Sequence, residues 1–324
     1  MKGLACGRRE SEVVVLHRVV VGVAQHSWVR KRAMSTPIIR DLAWRFFAGE
    51  DLEAGLATVC ALNARGIKAS LNFLGVHVRQ VDEAIAATDK AIESLRRIHD
   101  KGLDSHVSVK LTQIGLDIDE ALCRAQLTRI LECAAEVGNF VRIDMEESAY
   151  EESTIRLFEQ ARDQFGETTV GIVVQSYLRA RPDDLDHLIA GGSRIRLVKG
   201  GYRERAEVVY RRQEEIDAAF ARDIETLLRR GRYPAIATHD IKAIRLVRTL
   251  QSEIGLDKSQ FEFQMLYGVR PNLQAALVRQ GYTVRCYLPY GTDWYGWALE
   301  SLRSILGGAV HRIADRVGGH QAPV

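Results

Sequence analysis

Two fingerprints that usually announce a nucleotide site, G-x-G-x-x-G after a strand and the Walker G-x-x-x-x-G-K-[S/T], are missing from this chain of 324 residues. Its five cysteines, Cys6, Cys60, Cys123, Cys133 and Cys286, stand at no short paired spacing. That excludes zinc ribbons and dithiol redox motifs and suits a reduced, cytoplasmic compartment. None of the nine histidines has a histidine one helical turn away or a cysteine close enough to complete a metal set, so no metal is expected. Long apolar runs are lacking as well: "VVVLHRVVVGVA", residues 13–24, is too short to span a bilayer and is split by His17 and Arg18. No small-x-small cleavage site follows it, which argues against a signal peptide. Stable membrane insertion is therefore not expected.

A dominant charge of one sign is also lacking, with 45 basic against 42 acidic residues, and the net +3 is unevenly placed. Residues 1–33 hold seven basic against two acidic side chains, a net of +5, which leaves the remainder at about −2. A body of that sign with no arginine-aromatic stripe gives nucleic-acid binding no support. What is present is ordinary for a globular protein with a large core: 46% hydrophobic and 27% charged residues. We read residues 1–33 as a basic extension, disordered or not native, with Met34 as an alternative start. Residues 34–324 form one catalytic domain in this reading.

From "STPIIRDLAWRFFAGEDLEAGL" the pattern is helical, which predicts extra helices ahead of the first strand. Eight strand-length apolar runs follow, at residues 69–75, 106–115, 141–146, 170–175, 194–200, 235–240, 261–266 and 284–289. Long helical patterns separate them, such as "EIDAAFARDIETLLRRG" with Gly231 as its stop. Eight alternations with near-continuously apolar strands predict an α/β fold, a (β/α)8 barrel of the TIM type. A doubly wound open sheet is the alternative, and the missing Gly-rich fingerprint weighs against it.

In such a barrel function sits at the C-terminal ends of the strands. The residues there are Lys110, Asp144, Gln175, Arg196 with Lys199, His239, Gln264 and Tyr287. Singly, each would pass for a rim residue solvated where a loop begins. Together they outline a polar cup able to hold a large anionic cofactor.

The strings "VSVKLTQIGLD", "VRIDMEES", "VVQSYL", "RLVKGGYRE", "ATHD", "FEFQMLYGVRP" and "YTVRCYLPYGTDWY" resemble, in order and spacing, the motifs of the FAD-dependent proline dehydrogenase family. The likeness runs over about residues 42–305 and is to the single-function bacterial type. It implies a distorted (β/α)8 barrel that binds FAD without a Rossmann fingerprint. It implies Arg196 beside flavin N5, Gln175 donating to the isoalloxazine edge, and Lys199, Gly200 and Gly201 along the pyrophosphate and ribityl side. Thr238, His239 and Gln264 would be further FAD contacts. Lys110 and Asp144 resemble the family's charged pair beside the substrate, with Leu266, Tyr287 and Tyr295 lining its apolar part; an interior Lys110–Asp144 salt bridge is the plainer alternative. The chemistry implied is hydride removal from a carbon next to nitrogen in a small amine or proline-like substrate. The electron acceptor would be a quinone, with peripheral contact at the inner membrane.

Two departures from the family pattern bear on the substrate. Aligned without gaps on Asp293, Trp294 and Tyr295, the positions of the arginine pair that grips the proline carboxylate hold Glu300 and Ser301. The family's gate glutamate, which pairs with one of those arginines, is replaced by Val76. Leaving a buried carboxylate unpaired costs about 3–5 kcal/mol, roughly a 10²- to 10⁴-fold loss of affinity for free proline. A two-residue insertion in the helix would instead bring Arg303 onto the first arginine position and restore ordinary L-proline oxidation. A third reading is a Schiff-base lyase or aldolase working through Lys110 or Lys199.

Overall fold

The computed structural model describes residues 44–75, 78–179 and 182–292. After a short 3-10 turn, Trp44–Phe46, the chain enters α1 (Leu52–Asn63) and then eight strands separated by helices. They run β1 (Lys68–Leu74), α2 (Val81–Asp100), β2 (Ser105–Lys110), α3 (Glu120–Glu136), β3 (Val141–Asp144), α4 (Glu151–Phe165), β4 (Val170–Gln175) and α5 (Pro182–Ala190). The second half is β5 (Arg194–Val198), α6 (Gln213–Arg230), β6 (Arg232–Ala237), α7 (Ile241–Glu253), β7 (Glu262–Leu266), α8 (Pro271–Arg279) and β8 (Thr283–Gly291). All neighbouring strands pair in parallel and β8 closes on β1, with Ala69 opposite Cys286 and Leu71 opposite Leu288. The eight strands expected from the sequence are therefore present, in the closed arrangement and not the open one.

Several strands are shorter at their C-terminal ends than the apolar runs suggested. β2 stops at Lys110 and gives way to a 3-10 turn, Thr112–Ile114, and β3 stops at Asp144. β5 ends at Val198 and β6 at Ala237, so Lys199, Thr238 and His239 lie in the loops just beyond. The cause is local: past these points the backbone turns into the loops that carry the mouth, and only single backbone bonds, such as Tyr177 N to the Lys199 carbonyl and Thr238 N to the Gln264 carbonyl, continue the pairing.

Helix starts follow from side chains in the sequence. Asp51, Asp119 and Asp240 each accept a backbone N–H at the head of α1, α3 and α7. The Glu83 carboxylate takes the N–H groups of Arg79 and Gln80 ahead of α2. The apolar core lies between strands and helices: Leu71, Val107, Ile143, Ile172, Ile195, Ile236, Phe263 and Val284 are essentially fully buried, with Leu95, Leu127, Phe158 and Leu227 against them from the helices.

The inside of the barrel is different, because it is filled largely by polar and charged groups. Arg142, Arg196 and Arg285 are buried there with Glu262 and Gln264. Arg285 donates to both oxygens of Glu262 and to the Ala69 carbonyl at 2.8 Å. Arg142 donates to the carbonyls of Ile172 (3.0 Å) and Arg194 (2.5 Å). Gly171 makes room for this, since a Cβ there would lie 2.5 Å from the Arg194 carbonyl and 2.6 Å from Arg142 Nη1. Buried ions on this scale add little net stability, but removing one partner of a pair is costly.

Candidate active site

Arg196 on β5 bonds to side chains of four other strands. Its Nε donates to Gln264 of β7, Nη1 to Asp144 Oδ1 of β3 at 2.7 Å, and Nη2 to Ser70 of β1 and Ser108 of β2 at 3.2 and 3.1 Å. Groups on those strands surround one guanidinium only if it lies across the barrel interior. The residue is 4% exposed. Tyr287, on β8, donates its hydroxyl to the other Asp144 oxygen at 2.7 Å and places its ring 5.2 Å from the Arg196 guanidinium carbon. Burial, then the Asp144 charge, pushes the Tyr287 phenol well above its ordinary range, so it stays protonated and donates.

Lys110 and Asp144 end adjacent strands opposite one another. The salt bridge weighed from the sequence is not the pairing found, because Arg196 takes Asp144 and Lys110 donates to the Tyr202 hydroxyl at 2.9 Å. Burial alone would lower the Lys110 pKa. Tyr202, Glu146 and Asp144 more than offset it, and the amine is held protonated. A Schiff-base mechanism needs a neutral amine, so Lys110 is unsuited to that third reading. Lys199 is engaged as well, donating to Asp217 at 2.5 Å and Asp240 at 2.9 Å. Burial pushes the Tyr202 phenol up to about 12, so it meets Lys110 as a neutral acceptor.

Glu146, just past β3, anchors the turn after Lys110 by accepting from Thr112 N at 3.1 Å and Thr112 Oγ1 at 2.7 Å. Its backbone carbonyl takes a hydrogen bond from Gln175 Nε2 at 2.8 Å, which leaves Gln175 one amide hydrogen for a ligand. Gln264, expected at the cofactor, lies under Arg196: its oxygen faces Arg196 and its amide nitrogen Glu262, so both ends are engaged inside the barrel. Leu266 ends β7, and its N–H donates to His239 Nε2 at 2.8 Å. This assigns the His239 proton to Nδ1. Burial, then Arg270, lowers the His239 pKa to about 4, so the ring is a neutral donor. Thr238 Oγ1 accepts from Asp240 N at 3.0 Å. Gly200 has φ of 100° and a Cβ there would meet the Tyr177 ring at 2.1 Å, so the packing of that ring already requires glycine. Gly201 follows it, exposed, in the same loop. Val76, Tyr295, Glu300, Ser301 and Arg303 lie outside the described residues.

Tyr202 and Glu146 were not singled out from the sequence, though both stand inside quoted strings, "RLVKGGYRE" and "VRIDMEES". Nothing in a string shows that a tyrosine just after β5 will meet a lysine that ends β2.

The donor set tests whether a flavin dinucleotide suits these residues. Gln175, Arg196, Lys199, Thr238 and neutral His239 sit at or just beyond the ends of β4, β5 and β6, and each can donate a hydrogen bond. Lys199 is a cation already shared with two carboxylates. Such a rim fits a cofactor that accepts hydrogen bonds along one edge.

The proline dehydrogenase family model matches residues 55–294. Proline dehydrogenase 2 of Bacillus subtilis (strain 168) is 37% identical over 263 residues, 81% of this chain and 86% of that protein. The proline dehydrogenase of Deinococcus radiodurans is 36% identical over 283 residues, 86% of this chain and 91% of that one. Among solved structures, proline utilization A (PutA) from Bdellovibrio bacteriovorus superposes with a TM-score of 0.77 at 23% identity, covering 82% of this chain and 32% of that one. The chain thus spans about a third of that larger protein and shares the barrel with it. More than a third identity to enzymes of nearly its own length, over the stretch that builds the barrel and its polar cup, makes this chain a member of the proline dehydrogenase family, oxidoreductases that act on CH–NH groups.

Proposed function

We propose that the protein binds FAD in the cup and oxidises the C–N bond of a proline-like secondary amine that lacks a free α-carboxylate, giving the imine. The observation that carries the oxidation is the Arg196–Asp144–Tyr287 network across the barrel interior. FAD, when bound, supplies a two-electron acceptor for the hydride that leaves the carbon next to nitrogen. The residues to hold it are Gln175, Arg196, Lys199, Gly200, Gly201, Thr238 and His239. The substrate must lose its ammonium proton before it can give up hydride. Lys110, held protonated, disfavours a second positive charge beside it and so favours the neutral amine. Asp144 is fixed on one side by Arg196 and on the other by the Tyr287 hydroxyl, so it orients rather than swings. Electrons then pass to an external acceptor, a quinone in this reading. Among the described residues no helix is long and apolar enough to cross a membrane.

The substrate clause rests on Glu300, Ser301 and Val76 standing where the family has cations and their partner. A second reading, L-proline itself with Arg303 as the anchor, is favoured by the names of the relatives at 36–37% identity. Anaerobic bleaching of the flavin separates the two. L-prolinamide, proline methyl ester and pyrrolidine should bleach it, with L-proline at least about 10²-fold weaker. Converting Glu300→Arg and Ser301→Arg together should raise proline turnover, more so with Val76→Glu. Robust proline oxidation that survives Glu300→Ala and vanishes in Arg303→Ala would establish the second reading.

A further inference from the structure

Residues 199–212, between β5 and α6, cross the mouth of the barrel as a strap. Exposure alternates along it: Tyr202, Glu204, Ala206 and Val208 are half-buried, while Arg203, Arg205 and Glu207 are exposed. Tyr202 and Glu204 point inward, and beyond them a turn closed by Val208 N donating to the Arg205 carbonyl at 3.2 Å returns the chain. Both ends are anchored to the loop after β4. At the start, Gly200 lies against the Tyr177 ring, and Tyr177 N donates to the Lys199 carbonyl at 2.9 Å. At the far end Val209 bridges to Leu178, Arg179 N donates to the Val208 carbonyl, and Tyr210 N to the Tyr177 carbonyl, both at 2.8 Å.

Between these anchors two downward side chains reach other strands' loops. Tyr202 receives Lys110. Glu204 takes two hydrogen bonds from Ser148 in the β3–α4 loop, from its N at 2.5 Å and its Oγ at 2.8 Å. One carboxylate accepting two donors from a single residue is a strong and directional grip.

We infer that Glu204 is a positioning residue: by holding Ser148 across the mouth it keeps the strap at the height where the Tyr202 hydroxyl stays on Lys110. Released, the strap regains the conformational freedom of an anchored loop, and half-buried Lys110 loses a fixed partner. The kinetic half of this inference rests on the amine-oxidation reading above, whereas the structural half does not.

The test uses the flavin-loaded full chain and the variants Glu204→Ala, Glu204→Gln and Ser148→Ala. Arg203 and Arg205 are exposed on the strap, so trypsin reads its freedom directly. Glu204→Ala should be cut there about tenfold faster than wild type, and its KM for L-prolinamide should rise about tenfold with kcat within about threefold. Glu204→Gln, which keeps an acceptor for the backbone N–H and can donate to the hydroxyl, should restore both. A fault in the fold would instead lower flavin content and kcat together. Unchanged cleavage in Glu204→Ala, or faster cleavage with an unchanged KM, overturns the inference. If that variant does not fold, Ser148→Ala, which loses only the hydroxyl bond, carries the same two readouts. If wild type bleaches with neither L-prolinamide nor L-proline, the proposed function falls, and the cleavage comparison decides the grip by itself.

Discussion

At the scale of single residues, Arg196 combines two roles that pull stability and catalysis together. It neutralises Asp144 in the barrel interior, and in the proposed function it would be the cation beside the flavin. Arg196→Met should therefore cost about 3–5 kcal/mol of stability, because a buried Asp144 loses its partner. It should also slow flavin reduction by about 10²- to 10³-fold. Denaturant titration and stopped-flow reduction measure the two separately. A drop in stability with unchanged reduction rate and flavin potential would leave Arg196 a purely structural ion. His239 yields a pH prediction. Its folded pKa of about 4 lies below the ordinary imidazole value near 6.5, so the unfolded chain binds its proton first as pH falls. Stability from this group is complete above pH 6.5 and declines toward pH 4, by about 2 kcal/mol once its partial exposure is allowed for. His106, fully buried beside Arg285, Arg142, Arg196 and Arg194, acts in the same direction. Urea unfolding between pH 4 and 7 should show a shallower slope in His239→Gln, which keeps the acceptor for Leu266 N but cannot titrate.

Among the elements, the loops after the strands carry more of the design than the strands do. The 3-10 turn after β2, held by Glu146, sets the height of Lys110, and the strap after β5 brings its partner. Gly200 is one of the points where strap and β4 loop touch. Gly200→Ala combines a left-handed backbone angle with a Cβ 2.1 Å from the Tyr177 ring, so either the ring or the strap must move. We expect a loss of roughly 1–3 kcal/mol in stability. Thermal melting checks that figure, and flavin content should fall with it. A variant with wild-type melting temperature would mean that Tyr177 swings aside freely. The β5 and β6 register shifts between Arg194 and Arg196. Tyr233 beside it has a positive φ of 46° and receives the Arg194 guanidinium over its ring at 4.5 Å. That irregularity lies at the N-terminal end of the barrel, where residues serve stability.

For the molecule as a whole, the barrel closes through β1 and β8, and the long register between them runs from Lys68 opposite Arg285 to Leu74 opposite Gly291. The basic residues 1–33 have no strand or helix period that would join this closure. Their removal should leave flavin content and melting temperature nearly intact. A large fall in either would show that the extension packs on the body.

The sequence by itself determined the strand count, the closed parallel architecture and the family, because each rests on a local period or a contiguous string. It also placed Lys110, Asp144, Arg196 and Tyr287 at one end of the barrel. Only the tertiary structure decided who pairs with whom. Arg196 reaches Ser70, Ser108, Asp144 and Gln264 across the interior, and Lys110 finds Tyr202 instead of its neighbour Asp144. Position along a strand dictates which face a side chain takes, but the partner it meets depends on closure and on where loops return. Those distances are set by the whole barrel.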